Sequence, residues 1–166
     1  LFPQMRRKID EVTAEIYDLE NLFSSQEIVK KEVKNSEKKV IETEINDDLI
    51  PNKVEFSKED AIKILDKLVE EDYQKTHAKM VAAAMQAYAK KFGEDGNLWY
   101  IAGLLHDLDY YKFPDEHPLV ELEWFKKWSF PEDFIHAVAA HAHKRTGIEP
   151  ETKMAHTLMA IDELAG

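Results

Sequence analysis

From Ser57 onward, apolar residues recur at helical spacing, and each run is bounded by a capping residue, a proline or a glycine. This punctuation limits what the chain can fold into more than any other feature. Ser57 opens a Ser-Lys-Glu-Asp cap ahead of Ala61, Ile62, Ile64, Leu65, Leu68 and Val69, the signature of a capped helix start. A second helix is predicted over about 74–92, stopping at Gly93, and a third over about 97–108. Pro118 opens a fourth that runs through Trp128, Pro131 a fifth to about His143, and Pro150 a sixth ending near Leu164 with Gly166 behind it. Proline at helix starts and glycine at helix ends is the asymmetry expected of helix termini. No stretch reads as a strand, a glycine-rich phosphate loop or an internal repeat. The expected fold class is all-α, a bundle of about six helices over residues 57–166.

Residues 1–56 are of a different kind. They hold no histidine, tryptophan or glycine. Met5, Ile9, Val12, Ile16, Leu19 and Phe23 follow a 4-3-4-3-4 spacing, a helix with a coiled-coil-like seam. Ser24 precedes Glu27 by three residues, a capping-box pattern that starts a second helix through Val29, Val33, Val40 and Ile41. Asn46–Lys53 reads as a linker. The expectation for 1–56 is an N-terminal helical hairpin or stalk. It packs on the main domain, pairs two copies as a homodimer, or links to a longer signalling protein.

The chain has 166 residues and a formal net charge of −11. Such a surface lacks the basic face of non-specific nucleic-acid binding and is repelled by anionic membranes. A phosphorylated substrate therefore has to be small and to meet local cations or metal. The absence of cysteine excludes disulfides, thiolate nucleophiles, cysteine-ligated zinc and iron–sulfur clusters. No apolar stretch approaches the roughly 20 residues of a membrane span, and no signal peptide is visible, so a cytoplasmic setting is expected. The chain begins at Leu1 rather than Met, which reads as a fragment or a processed product.

The chemistry lies in the second half, where all seven histidines fall between His77 and His156. His106-Asp107 follows the apolar run Leu98–Leu105, at the end of a buried helix. An ionisable pair is costly to bury there unless it is paired or bound to a cation. His77 lies on the helix of Met80, Val81 and Ala84, and Asp162 interrupts Leu158–Leu164. Three buried-looking helices thus each offer a ligand type. The alternative for each is an ordinary surface or hydrogen-bonded side chain. His136 and His156 read as core or surface histidines.

The order His77, His106-Asp107, Asp162 on successive helices resembles the HD-domain superfamily of metal-dependent phosphohydrolases, as do the stretches 102–110 and 160–166. The likeness covers about residues 57–166. It implies a divalent transition metal as cofactor, one or two ions of Fe, Mn, Zn, Co or Ni, a donor preference that fits imidazole and carboxylate. One ion takes His77, His106, Asp107 and Asp162. The other takes His117 and His141, with Asp107 bridging. His117 is also a possible capping residue, and His143 rivals His141, although residues two apart on a helix face opposite ways. The implied activity is hydrolysis of a small phosphate ester or nucleotide by a metal-bound hydroxide, with Asp107 catalytic. Asp109 is expected to orient a histidine or a metal-bound water, and Lys112 matches a lysine that some HD families place near substrate. His143-Lys144-Arg145 either catches substrate phosphate or complements a helix C-terminus. Relatives continue past the last motif, which implies a domain truncated at its C-terminus. Two other readings stay open: a di-iron HD-fold oxygenase, and a non-catalytic signalling or scaffold module.

Overall fold

The computed structural model describes residues 27–28, 30–39 and 56–165. The chain divides into two units, residues 1–43 and 44–166. In the first, residues 27–28 and 30–39 are helical, Val33 is exposed, and Ser36 donates its hydroxyl to the Glu32 carbonyl at 3.0 Å. The Met5–Phe23 seam, the cap at Ser24 and the linker at 46–53 lie outside the described residues.

The second unit is helical throughout its elements: α1 (Lys58–Leu68), α2 (Asp72–Phe92), α3 (Gly96–Leu105), α4 (Leu119–Lys127), α5 (Glu132–His141), α6 (His143–Thr146) and α7 (Lys153–Ala165). Among the described residues there is no strand, and no helix is long and apolar enough to cross a membrane. The ends follow local chemistry. Ser57 caps α1 by accepting from the Asp60 amide at 3.1 Å. The Asp95 carboxylate accepts from the Asn97 and Leu98 amides at 2.8 and 3.3 Å and starts α3. Gly93 ends α2 in the left-handed region at φ 72°, where a side chain would be strained.

Two helices stop earlier than their apolar pattern suggests. α3 ends at Leu105, and residues 106–113 continue as tight turns, with the Tyr110 amide on Asp107 and the Phe113 amide on Asp109. Leu108 stays buried in this turn, so its place in the apolar pattern is kept although its helix is not. α5 ends at His141 rather than His143. Ala142 leaves helical geometry, and the Thr146 hydroxyl takes the Ala139 carbonyl at 2.8 Å.

The core is aliphatic between α1, α2, α3 and α7 and aromatic around α4 and α5. Phe130 stacks on Phe134 and Phe125 meets both edge-on, with ring centroids 4.4–5.2 Å apart. Full burial of such a side chain stabilises the fold by roughly 1.5–3 kcal/mol. α2 and α3 approach closely at Gly103, where a Cβ would stand 2.8 Å from Ala82 Cα. That contact sets the spacing of the two helices that carry His77 and His106.

Candidate metal centre

Four helices and the turns between α3 and α4 bring six side chains together. α2 carries His77, the end of α3 carries His106 with Asp107 on the following turn, α5 ends on His141, and α7 carries Asp162. His117 sits just before α4. His77 Nε2 lies 3.3 Å from His106 Nε2 and 3.1 Å from Asp162 Oδ1, and His106 Nε2 lies 3.2 Å from the same oxygen. On the other side His117 Nε2 and His141 Nε2 are 3.1 Å apart. Asp107 divides between the two groups. Its Oδ2 faces His77 and His106 at 3.7 and 3.4 Å, and its Oδ1 faces His117 and His141 at 3.3 and 3.5 Å. In each group, His77–His106–Asp107–Asp162 and Asp107–His117–His141, the candidate ligand atoms lie within 4.8 Å of one another.

The far nitrogens decide what the near ones do. His106 Nδ1 pairs with the Gly103 carbonyl at 2.9 Å, His141 Nδ1 with the Val138 carbonyl, and His117 Nδ1 with Asp109 Oδ1 at 2.6 Å. Each of these partners accepts only, so the proton is assigned to Nδ1 and a neutral ring turns its Nε2 lone pair inward. The inward lone pairs and two carboxylates then repel one another unless a cation stands among them. A set of imidazoles and carboxylates suits a divalent first-row transition ion, so the residues present fit the metal that the sequence leads one to expect.

The metal-free electrostatics carry the same message. Burial pushes the His106 pKa down, but Asp107 and Asp162 more than offset it and raise the value to about 9. Burial opposes ionisation of Asp107, yet His106, His141 and His117 hold its carboxyl well below the usual carboxylate range. Asp162 is held low against burial in the same way by His106 and His77. Burial foremost lowers the His141 pKa. Without an ion, the cluster holds a proton where a cation belongs.

Behind His117 stands a second layer. Asp109 is fully buried, and of the two groups it was expected to orient it bonds the histidine, His117. Glu121, to which sequence reasoning assigned nothing, is also fully buried. Its Oε2 accepts the Asp109 amide at 3.0 Å, and its own amide donates to Asp109 Oδ2 at 2.9 Å. Burial first, then the charges of Asp109 and Asp107, push its carboxyl well above the usual range. The available signal was a lone acid between Val120 and Leu122, four residues after His117.

None of the remaining expected residues joins the two ligand groups. Lys112 is exposed on the turn, and Lys144 is exposed on α6. Arg145 Nη1 donates to the Pro114 and His117 carbonyls, both at 2.8 Å, so this nitrogen braces the loop that carries His117. His143 is half-buried with an unpartnered Nδ1, and it is His141 that joins the cluster. His136 bonds the Glu149 carbonyl and His156 is exposed. The centre opens over its carboxylates: the side chains of Asp107 and Asp162 are 27% and 26% exposed, that of His106 is 0% exposed. A cavity of about 740 Å³ lined by Phe56, Asn97, Leu98, Trp128 and Phe130 contains none of these ligands.

Comparison with known proteins bears on this geometry. The family model described as HD domain matches residues 75–166, more than half of the chain. The chain belongs to the HD-domain family. All six clustered side chains fall inside the matched HD region. Over 93 residues the chain is 33% identical to Ribonuclease Y of Lawsonia intracellularis (strain PHE/MN1-00), a stretch covering 54% of this chain and 18% of that relative. The likeness therefore spans about a fifth of the relative's length. No solved structure matches.

Proposed function

We propose that this chain is a metal-dependent phosphohydrolase with a dinuclear centre, acting on a small phosphate ester or nucleotide. One observation carries the reading: Asp107 turns one oxygen to each of two ligand groups, as a carboxylate shared by two ions does. His77, His106 and Asp162 would complete one site, and His117 and His141 the other. When bound, the ions would supply Lewis acidity and lower the pKa of a bound water toward neutrality.

The protein's own groups do the rest. Two divalent ions set against two carboxylates leave a local charge of about +2, an attraction for phosphate within a chain of net charge −11. The partly exposed Asp107 and Asp162 mark the side from which a phosphate enters. The fully buried His106 closes the opposite side to water. The Nδ1 bonds of His106, His117 and His141 hold their rings ready, so little reorganisation accompanies binding. The similarity to Ribonuclease Y supports phosphoester cleavage, while the acidic composition favours a small ester over a polynucleotide.

The test is metal analysis of protein purified without chelator, followed by phosphate release from p-nitrophenyl phosphate, mononucleotides and a short RNA after loading with Mn, Fe, Co, Ni or Zn. Close to two ions per chain, with anaerobic hydrolysis of the small esters, is the expected result. Oxygen uptake with iron and no hydrolysis would establish the oxygenase instead. Failure to retain any ion would leave a scaffold.

A further inference from the structure

The three Nδ1 bonds are not alike. His106 and His141 each bond a carbonyl three residues back on their own chain, which the local helical backbone provides. His117 lies ahead of α4, after a run of turns. It leans instead on a side chain, Asp109 Oδ1 at 2.6 Å. A carboxylate rotates, so its direction has to be fixed by something else.

Glu121 contributes at both ends: its backbone amide holds the Asp109 carboxylate, and its side chain holds the Asp109 backbone amide, fixing the turn from which that carboxylate extends. The Asp109 amide donates to Glu121 Oε2, and the Glu121 amide donates to Asp109 Oδ2. Both oxygens of Asp109 are thereby engaged, one on α4 and one on His117. Glu121 Oε1 has no hydrogen-bond partner and lies 4.0 Å from His117 Nδ1. A fully buried acid is costly to keep, and an apolar residue would suit its neighbours Val120 and Leu122 better.

We propose that Glu121 is a positioning residue for the second ion, fixing Asp109 so that His117 presents Nε2 to the site it shares with His141 and Asp107. This rests on the two-ion reading above. Loss of Glu121 should weaken the second ion and leave the first, since His77, His106 and Asp162 do not bond to this pair. Partners of this kind typically change metal affinity by about 10- to 100-fold.

The experiment titrates the full chain with Co(II), following occupancy and the ligand-field spectrum, in wild type, Glu121→Ala and Glu121→Gln. The expected result is a second-ion Kd about 10- to 100-fold weaker in Glu121→Ala, an unchanged first ion, and recovery in Glu121→Gln, whose amide oxygen still accepts from Asp109. Glu121→Asp, one methylene too short, replaces Glu121→Ala if that variant does not fold, with the same expected loss. In parallel, the His117 Nδ1 proton is followed by NMR in metal-free protein. It should stand far downfield in wild type and Glu121→Gln, and shift or exchange away in Glu121→Ala. Equal weakening of both ions, or an unchanged second ion and proton signal, would overturn the proposal. If wild type takes only one ion, the two-ion reading fails on its own, and the proton signal alone then decides whether Glu121 orders His117.

Discussion

The two ligand groups that share Asp107 are assembled by different means. His77, His106 and Asp162 arrive on α2, α3 and α7, and their separations follow from helix packing around a buried apolar core. His117 arrives on a loop, steadied by Asp109, Glu121 and the Arg145 guanidinium. One group is a by-product of the bundle. The other joins His141, at the end of α5, to a histidine held by polar bonds between segments distant in sequence. Packing is hard to perturb by one substitution without loss of stability, whereas a polar brace can be removed piece by piece. The helix-borne site should therefore be robust, and the loop-borne site adjustable.

The largest effect should come from the residue that joins them. Asp107→Ala should release both ions and lower phosphate release by about 10³-fold or more, since each ion contributes several kcal/mol to the transition state. Elemental analysis and steady-state rates check this. Next in size, His77→Ala and His141→Ala should each leave one ion per chain, and not the same one. Survival of both ions in either variant would break the division proposed here.

A smaller effect is expected on pH. In chelated protein the folded His106 pKa is about 9 against an ordinary 6.5, so its contribution is complete below 6.5 and is lost as pH rises through 9. Asp107 and Asp162 have lowered values, so theirs is present above the ordinary 3.8 and lost as pH falls. Chelated protein should be most stable between these limits. An ion in the His106 site excludes that proton, so the Tm gap between loaded and chelated protein should widen from pH 6.5 to 9. A constant gap in thermal scans would count against His106 as a ligand. Last, Gly103→Ala should cost about 1–3 kcal/mol through overpacking, read as a lower denaturation midpoint, and should disturb the His77–His106 pair more than His117–His141.

The same contrast explains what could be read from the chain alone. The helix-borne ligands were legible because each is a polar residue interrupting an apolar helical pattern, as Asp162 interrupts Leu158–Leu164. The helical fold was legible from its caps, of which Ser57 behaves as expected. His117 and His141 came only with the family resemblance, since His117 sits on a turn with no period to place it and His141 ends α5 with His143 as a rival two residues on. Glu121, and the bracing role of Arg145, escaped because their partners, Asp109 and His117, are 12 and 28 residues away across irregular backbone. The early end of α5 was hidden because no proline or glycine occurs between Pro131 and Gly147.

Gly103 has a bearing on ion size. α2 and α3 touch where its missing methyl group would meet Ala82, three residues before His106 and five after His77. The 3.3 Å between the two facing nitrogens is thus set by where two backbones stop, not by the imidazoles. Preference among cations of different radius then belongs partly to the bundle: one added carbon outside the centre would widen the cage with every ligand unchanged.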